Sequence, residues 1–439
     1  MPGSVDIGVY QRRRARLAAA MGSGVAFVPT AAERTRNRDA HYPYRFDSYF
    51  YYLTGFREPD AVLAIVAGKH PKHILFCRDK DPEREIWDGF RHGPEAARGA
   101  FGFDEAHAIA RLDALAPELI SGHAALHCHL GADAAWDARV TGWINQVRGQ
   151  ARAGAVAPRE VKDVHALLDE MRLVKGPEEL AVMRRAAEIT AGAHRRAMRA
   201  AKAGRAEYEI EAELLHEFRR HGALAPAYTP IVASGSRACV LHYVQNDGVL
   251  ADGELLLIDA GCELDGYAAD LTRTFPVNGR FNAPQREIYD MVLAAQAAAI
   301  AAVRPGAPWD APHRAAVKVL AQGLIDLKLL AGGLAEVVET EAYKRFYMHR
   351  TGHWLGLDVH DAGDYKLNGE WRALAPGMVL TVEPGCYVRP AAGIPERYAG
   401  IGVRVEDDVL VTAAGAEVLT RDAPKQPGEI EAWMNGRAA

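Results

Sequence analysis

A chain of 439 residues, of which 49% are hydrophobic, is long for one domain and can bury a large core, so two or three domains are expected. Its formal net charge of −5 argues against a nucleic-acid partner, which would require a basic surface. The basic N-terminus is not followed by an apolar run, and the weakly polar stretch 292–303 is too short to span a bilayer. We therefore expect a soluble, cytoplasmic protein with no membrane partner.

The five cysteines are Cys77, Cys128, Cys239, Cys262 and Cys386. Their number is odd, they are widely spaced, and none forms a CxxC pair, which argues against a disulfide framework and against a cysteine zinc site. Buried free thiols are the expected state.

The first third of the chain predicts an α/β domain, because short apolar runs alternate with helical patterns. Residues 9–21 predict a short helix, and the Ala- and charge-rich residues 150–170 predict another. The aromatic-rich segment 41–60 indicates core packing or a subunit interface, with a wall of a substrate pocket as the less common alternative. The strand-like runs are 24–30, 61–68, 72–77 and 125–130.

A domain boundary is predicted near residue 172. Pro177 follows Gly176 and precedes Glu178 and Glu179, a pattern typical of the first turn of a helix. Beyond this point helices of clear periodicity are joined to strands with hairpin-like links, which favours an α+β arrangement. We therefore assign residues 1–172 to an N-terminal α/β domain and residues 173–439 to a second, α+β domain.

Two carboxylates sit where a buried strand ends. Residues 255–258 predict a buried strand that Asp259 ends, and the turn at Asp265 and Gly266 leads to a second extended run carrying Asp270. An unpaired buried charge costs several kcal/mol or more. A cation between the two acids would remove this cost, so the pattern indicates a metal.

A weak internal repeat extends this set of acids. LLIDAG (256–261) and LTVEPG (380–385) share an acid and a glycine at matching positions, and each precedes a second strand with another acid, Asp270 or Glu406. With His353 the acids form a hard, oxygen-rich donor set that suits manganese, with cobalt, iron or zinc as alternatives. Four negative charges are balanced by two divalent ions, so the charge count predicts a dinuclear hydrolase.

Further polar residues surround these acids. His349, His353 and His360 lie within MHRTGHWLGLDVHD, and His242 lies upstream in CVLHYVQND. Only one histidine is needed as a ligand, so the others could donate protons or hydrogen bonds to an oxyanion. Strand alternation places Arg404 on the same face as Glu406, where it could hold that carboxylate in position.

Long motifs of the chain resemble those of the pita-bread metallopeptidases, and within them the aminopeptidase P family. In the second half these are HWLGLDVHD, LIDAG with GYAADLTRTFPVNG, GMVLTVEPGCYV and GIGVRVEDDVLVT. In the first half they are YPYRFDSYFYYLTGFREPDAVL and EIWDGFRHG. The resemblance implies a C-terminal pita-bread (creatinase/aminopeptidase) domain preceded by an N-terminal α/β creatinase-like domain.

The resemblance also implies a metal-ligand set. Asp259 would bind one manganese ion, His353 and Glu383 would bind the other, and Asp270 and Glu406 would bridge both. A hydroxide between the ions would attack the first peptide bond of a peptide whose second residue is proline, and Glu383 would also handle the proton.

Other roles follow from the same resemblance. His242 and His360 would contact the substrate and either shuttle protons or steady the tetrahedral intermediate, and His349 would line the proline pocket. Tyr387 and Arg404 would support the site. The family also implies a homo-oligomer, a dimer or tetramer, in which the segment around Trp87 reaches a neighbouring subunit; a local core or surface role for Trp87 is the alternative.

Arg350 and Thr351 depart from the smaller residues that relatives often carry between the histidines, and they could narrow or charge the pocket rim. The alternative function is that of an Xaa-Pro dipeptidase (prolidase), which uses the same five ligands. A metal-free creatinase and a non-catalytic binding module share the fold, but the complete ligand set argues against both.

Overall fold

A computed structural model of the protein describes residues 6–436. These divide into two compact units, one ending at Met171 and the other beginning at Arg172. No helix among the described residues is both long and apolar enough to cross a lipid bilayer.

The first unit contains a mixed sheet surrounded by helices. Its helices are α1 (Ile7–Met21), α2 (Ser48–Thr54), α3 (Pro82–Asp88), α4 (Gly93–Phe101), α5 (Leu112–Ile120), α6 (Ala134–Gly149) and α7 (His165–Leu173). Its strands are β1 (Gly24–Pro29), β2 (Thr35–Asn37), β3 (Ala40–His41), β4 (Val62–Ala67), β5 (Lys72–Cys77), β6 (Glu105–Ala108), β7 (Ala125–His127) and β8 (Glu160–Lys162).

Six of these strands form one sheet in the order β6-β5-β4-β1-β7-β8. Strand β4 pairs antiparallel with β1 and β5, and the remaining pairs are parallel. The central strands are continuous apolar runs because helices cover the sheet; Phe27 of β1, for example, packs on Trp143 of α6 with ring centroids 5.0 Å apart. The expected N-terminal α/β fold is confirmed.

The prediction of one helix over 150–170 is wrong for its middle. Gly154 adopts a left-handed conformation with φ of 91°, and Pro158 lacks the N–H that a helix needs. The chain between them has no regular secondary structure, and residues 160–162 form β8, which adds to the edge of β7. Helix α7 begins only at His165, whose backbone N–H donates to Asp163. Sheet pairing and these two breakers outweigh the helical composition.

The aromatic segment contributes to the core through α2, where Phe50, Tyr51 and Tyr52 are buried. Trp87 differs, since 82% of its surface is exposed, and Ile86 and Phe90 nearby are also exposed. The local-core alternative for Trp87 is therefore wrong in this chain, and its side chain lies on the surface of the unit.

The second unit combines long helices with short antiparallel sheets. Its helices are α8 (Pro177–Ala200), α9 (Glu207–Arg220), α10 (Ala283–Ala302), α11 (Ala311–Asp326), α12 (Leu334–Glu339) and α13 (Pro427–Met434). Its strands are β9 (Ala225–Pro226), β10 (Ile231–Ser234), β11 (Leu255–Asp259), β12 (Cys262–Leu264), β13 (Tyr267–Ala268), β14 (Thr272–Pro276), β15 (Lys366–Leu367), β16 (Glu370–Trp371), β17 (Val379–Val382), β18 (Gly385–Val388), β19 (Ile401–Arg404), β20 (Asp407–Thr412) and β21 (Gly415–Val418).

Two three-stranded sheets carry the centre of this unit, β10-β11-β14 and β17-β20-β21. The apolar faces of α8, α9, α10 and α11 pack on one large core with them. Ile288, Val292, Ala295 and Ala299 lie at helical spacing in α10 and are all fully buried. The α+β architecture expected for the second half is confirmed.

All five cysteines are free and buried, two of them in the first unit and three in the second. Burial raises the pKa of the Cys77, Cys128 and Cys262 thiols to about 12. These thiols are therefore protonated and unreactive at neutral pH.

Candidate active site

The antiparallel pair β11 and β14 positions two of the acids. Asp259 is the last residue of β11 and is paired with Thr272, the first residue of β14. Asp270 precedes Thr272 by two residues and lies between β13 and β14, outside the strands, although an extended run was expected there. Its backbone N–H donates to Asp408 at 3.1 Å, which fixes the turn that directs Asp270 inward.

The pair β17 and β20 positions two more acids in the same way. Glu383 directly follows β17, and Glu406 directly precedes β20. The repeated sequence thus corresponds to two strand pairs that each carry acids at one end. The two pairs are joined where the Glu406 N–H donates to the Thr272 carbonyl at 3.1 Å.

His353 reaches the acids from a segment that pairs with the end of β17. The Thr381 N–H donates to the His353 carbonyl at 2.9 Å, and the Glu383 N–H donates to the Thr351 carbonyl at 2.8 Å. The imidazole Nδ1 lies 2.9 Å from the Trp354 carbonyl, which can only accept, so Nδ1 carries the proton. Nε2 therefore faces the acids and, once deprotonated, is the nitrogen that can bind a metal.

The five predicted ligands lie together on one cavity of about 700 Å³. His353 Nε2 is 3.4 Å from Asp270 Oδ2 and 3.7 Å from Glu383 Oε1. Asp270, His353 and Glu406 each offer a ligand atom within 4.8 Å of the other two. This spacing suits donors that share one or two cations.

The acids perturb each other strongly. Burial, together with repulsion from Asp270, raises the pKa of Glu383 to about 7, and burial also raises the pKa of Asp259 and Glu406. Burial opposes protonation of His353, but the bond to Asp270 and the charge of Glu383 raise its pKa to about 9. Four such carboxylates are not all ionised together without added positive charge.

The donor set therefore fits two divalent cations. Four carboxylates and one imidazole are hard ligands of the kind that manganese accepts, and no cysteine sulfur belongs to the group. Two ions would neutralise the charge that burial otherwise penalises.

Tyr228 is a site residue that the sequence patterns did not reveal. Its hydroxyl lies 2.6 Å from Asp259 Oδ1 and 2.5 Å from Asp270 Oδ1. A tyrosine in a loop before a short strand has no distinguishing local pattern; only the chain's return to β10 places it beside the acids. It lies against the inner ends of both carboxylates.

Arg404 connects the acids to His349 through the Tyr387 hydroxyl. It donates to Asp259 Oδ2 at 2.6 Å and to the Tyr387 hydroxyl at 2.9 Å. His349 Nδ1 donates to the Arg350 carbonyl at 2.7 Å, so its Nε2 accepts from Tyr387 at 2.9 Å. Burial and the nearby Arg404 lower the pKa of His349 to about 3, which keeps this imidazole neutral. Asp259, one of the four acids, is thereby held in one orientation by Arg404.

The cavity becomes more exposed and less acidic toward its mouth. His242 and His360 line it as exposed residues, and the His360 ring meets the His353 ring edge-on at 4.3 Å between centroids. Apolar and aromatic side chains form the remaining wall, which suits a proline ring. They are Ile231, Leu241, Val244, Trp309, Val359, Tyr365 and Trp371.

Arg350 and Thr351, the two residues between the histidines that were expected to shape the rim, have different positions. Thr351 is buried and hydrogen-bonds the Tyr347 hydroxyl at 2.6 Å and His313 Nδ1 at 2.8 Å, so it does not line the cavity. Arg350 is exposed and lines it. Of the two, only Arg350 adds charge to the rim.

Comparisons with known families agree with this architecture. Metallopeptidase family M24 matches residues 181–413, and the aminopeptidase P N-terminal domain matches residues 10–127. The chain is 45% identical to an Xaa-Pro aminopeptidase of Escherichia coli over 428 residues, 97% of each chain. It is 36% identical to human Xaa-Pro aminopeptidase 3, covering 90% of this chain and 78% of that protein.

Solved structures show the same fold. Aminopeptidase PepP of Pseudomonas aeruginosa superposes with a TM-score of 0.97 at 50% identity, covering 99% of both chains. A zinc-substituted Escherichia coli aminopeptidase P in complex with product superposes equally well, at 44% identity over the whole of both chains. The chain belongs to metallopeptidase family M24, in its aminopeptidase P branch, and the resemblance read from the motifs is confirmed.

Proposed function

We propose that this chain is an Xaa-Pro aminopeptidase that uses two metal ions to release the first residue from peptides with proline in second place. The observation that carries the proposal is the single cavity in which four carboxylates and His353 Nε2 lie below an apolar, aromatic wall. We assign this chemistry to residues 173–439 and a role in oligomerisation to residues 1–172.

The ligand assignment is the one that the family resemblance implies, and the shared cavity supports it. Asp259 would hold one ion, His353 and Glu383 would hold the other, and Asp270 and Glu406 would be shared by both. We propose that both ions are manganese, because oxygen donors dominate the ligand set. When bound, the ions polarise the scissile carbonyl and lower the pKa of a water molecule.

Glu383 is the proposed proton carrier. Its buried carboxylate lies among the other proposed ligands, 3.7 Å from His353 Nε2, and would take a proton from water and return it to the departing amine. Arg404 holds Asp259 in place through its bond of 2.6 Å, so the acid cannot rotate away from its neighbours.

The histidines act on the substrate. His242 and His360, at the exposed side of the cavity, donate hydrogen bonds to the oxygen on which charge develops. His349 presents a neutral ring to the proline, since Tyr387 and the Arg350 carbonyl occupy both of its nitrogens.

We also propose a homo-oligomer, a dimer or tetramer, in the cytoplasm. The exposed apolar side chains of Ile86, Trp87 and Phe90 support an interface on the first unit. Five free thiols support a reducing compartment.

The test begins with protein stripped of metal by a chelator and reloaded with manganese. Products from an Xaa-Pro-Yaa tripeptide are followed by mass spectrometry, beside an Xaa-Pro dipeptide and an Xaa-Ala-Yaa control. We expect release of the first residue from the tripeptide only, and only with metal. Cleavage of the dipeptide alone would instead identify a prolidase, and no cleavage of any peptide would contradict an enzymatic function.

A further inference from the structure

The mouth of the cavity carries positive charge, on Arg350 and on the neighbouring Lys366. The Arg350 guanidinium lies over the Trp371 indole at 5.0 Å from the ring centroid, and Lys366 Nζ lies over the same ring at 4.4 Å. Between residues 6 and 436, neither cation has a carboxylate within 4.0 Å. The ring restrains both side chains by cation–π attraction without cancelling their charge.

Charge in the cavity therefore changes sign from floor to rim. Asp259, Asp270, Glu383 and Glu406 lie at the floor, and Arg350 lines the exposed side. A short peptide has the complementary polarity, with a positive amino terminus and a negative carboxyl terminus. If the amino terminus and the first peptide bond lie at the acids, as the proposed function requires, the residue after proline extends toward the rim.

We propose that Arg350, held on Trp371 and assisted by Lys366, forms a carboxylate-binding subsite for the part of the substrate that follows proline. The subsite binds the terminal carboxylate of an Xaa-Pro-Yaa tripeptide, or the side chain of an acidic residue in third place. It rests on the proposed function, because it uses the direction in which a cleaved peptide would lie. The planar guanidinium suits a carboxylate, since two parallel N–H donors match its two oxygens.

Arg350 is positioned for this role by its neighbours. Its backbone carbonyl accepts from His349 Nδ1, and the next residue, Thr351, is anchored in the interior by Tyr347 and His313. The backbone on both sides is thus fixed, and the Arg350 side chain alone extends to the mouth. This places a directed charge on a rigid segment and separates the subsite from the acids of the floor.

The kinetic test compares Ala-Pro-Ala as free acid and as amide, and the amidated peptides Ala-Pro-Asp-Ala and Ala-Pro-Asn-Ala. The manganese-loaded wild type should prefer each charged peptide about three- to tenfold in kcat/KM, as for a partly exposed bidentate pair. Arg350→Gln should remove the preference through KM, with kcat and the neutral peptides little changed. Preference confined to the acid–amide pair identifies the terminal carboxylate, and preference confined to the Asp–Asn pair identifies the side chain.

The matched control is Arg345→Gln, an arginine stacked on Phe346 outside the cavity lining, which should retain the full preference. Equal losses on charged and neutral peptides in Arg350→Gln, or a wild type without any charge preference, would overturn the subsite. Calorimetric binding of Pro-Ala as acid and as amide measures the subsite without turnover. A wild type that cleaves nothing but binds the acid more tightly would therefore refute the proposed function and retain the subsite.

Discussion

Tyr228 has one hydroxyl hydrogen and two carboxylate neighbours, Asp259 and Asp270, at 2.6 and 2.5 Å. It can donate to only one of them at a time, so the hydroxyl cannot stabilise both carboxylates as anions, and a cation is needed as well. With metal bound, the tyrosine would orient one of these two carboxylates by hydrogen bonding to it.

We expect Tyr228→Phe to weaken manganese binding about 10- to 100-fold, as the loss of an outer hydrogen bond does at other metal sites. The fold should be unchanged, because the ring remains. Titration calorimetry of manganese into chelator-stripped protein measures the change. Tyr208→Phe, at an exposed position on α9, is the control and should bind metal as the wild type does. Unchanged affinity in Tyr228→Phe would show that its hydroxyl does not support the ligands.

His360→Ala should lower kcat/KM about 10²- to 10⁴-fold, since a positioned proton or hydrogen-bond donor is lost. Both metals should be retained, because the five ligands remain. Turnover of an Xaa-Pro-Yaa peptide and metal content per chain are measured on the same sample. The exposed His221, paired with Glu217, provides the control His221→Ala. Loss of metal from His360→Ala would assign His360 to the ligand set.

At the scale of single elements, the loop that carries His242 is held from one side by Glu207. This buried acid, at the start of α9, accepts from the Ser234 N–H at 2.7 Å, from Arg237 at 2.9 Å, from the Tyr243 hydroxyl at 2.9 Å and from the Gly248 N–H at 2.8 Å. These donors span the loop from end to end. The Glu207 carboxylate therefore anchors the loop that carries His242.

Glu207→Ala should release this loop, because each buried donor left without an acceptor costs about 1–3 kcal/mol. Hydrogen exchange of residues 235–248 should become faster, and kcat/KM should fall while metal content stays constant. The control Glu213→Ala removes an acid of the same helix that pairs with Arg196, away from the loop. If exchange in the loop were the same in both variants, Glu207 would not be its anchor.

Elements with strong local patterns were predictable, and those defined by their partners were not. The continuous apolar run at 255–258 has no alternative to a buried strand, and α10 follows its helical periodicity throughout. Strand β8 has no such pattern, since all of its residues are exposed and it exists only because β7 offers an open edge. How much of residues 150–170 is helical therefore depends on the pairing of β8 with β7.

For the molecule as a whole, a buried ionic cluster ties the start of the second unit to the segment that carries His360. Lys175 Nζ lies 2.9 Å from Asp361 Oδ2, and Arg172 lies 2.5 Å from Oδ1. Burial opposes ionisation of Asp361, but Lys175 and then Arg172 hold its pKa below the ordinary value. The carboxylate is charged in the folded state at all but strongly acidic pH.

Asp361→Asn should lower the free energy of unfolding by about 3–5 kcal/mol at pH 7, because buried Lys175 and buried Arg172 each lose a charged carboxylate partner. A lowered folded pKa stabilises the protein above the unfolded value of about 3.9, and this contribution is lost as pH falls through the folded pKa. The difference between variant and wild type should therefore shrink in acid. Urea unfolding at pH 7 and below pH 4 measures it. A difference independent of pH would exclude the ion pairs as its cause.

The candidate site shows the same contrast as the fold, between residues with local sequence signals and residues defined by tertiary contacts. Asp259, Asp270, His353, Glu383 and Glu406 could be selected from sequence, because acids at strand ends and a repeated motif are local signals. Tyr228, Thr272 and Glu207 contact residues that are distant in sequence. No local sequence pattern distinguishes them. Residues that hold the site together were thus harder to predict than the ligands.

The buried thiols have one more consequence, for following how the protein opens. Cys77 and Cys128 belong to the first unit, and Cys239, Cys262 and Cys386 to the second. Each becomes reactive only when its surroundings unfold, since burial now keeps it protonated and out of contact with solvent. Pulse alkylation followed by peptide mapping would therefore measure the rate of local unfolding in each unit separately, with the native cysteines as probes and no added label.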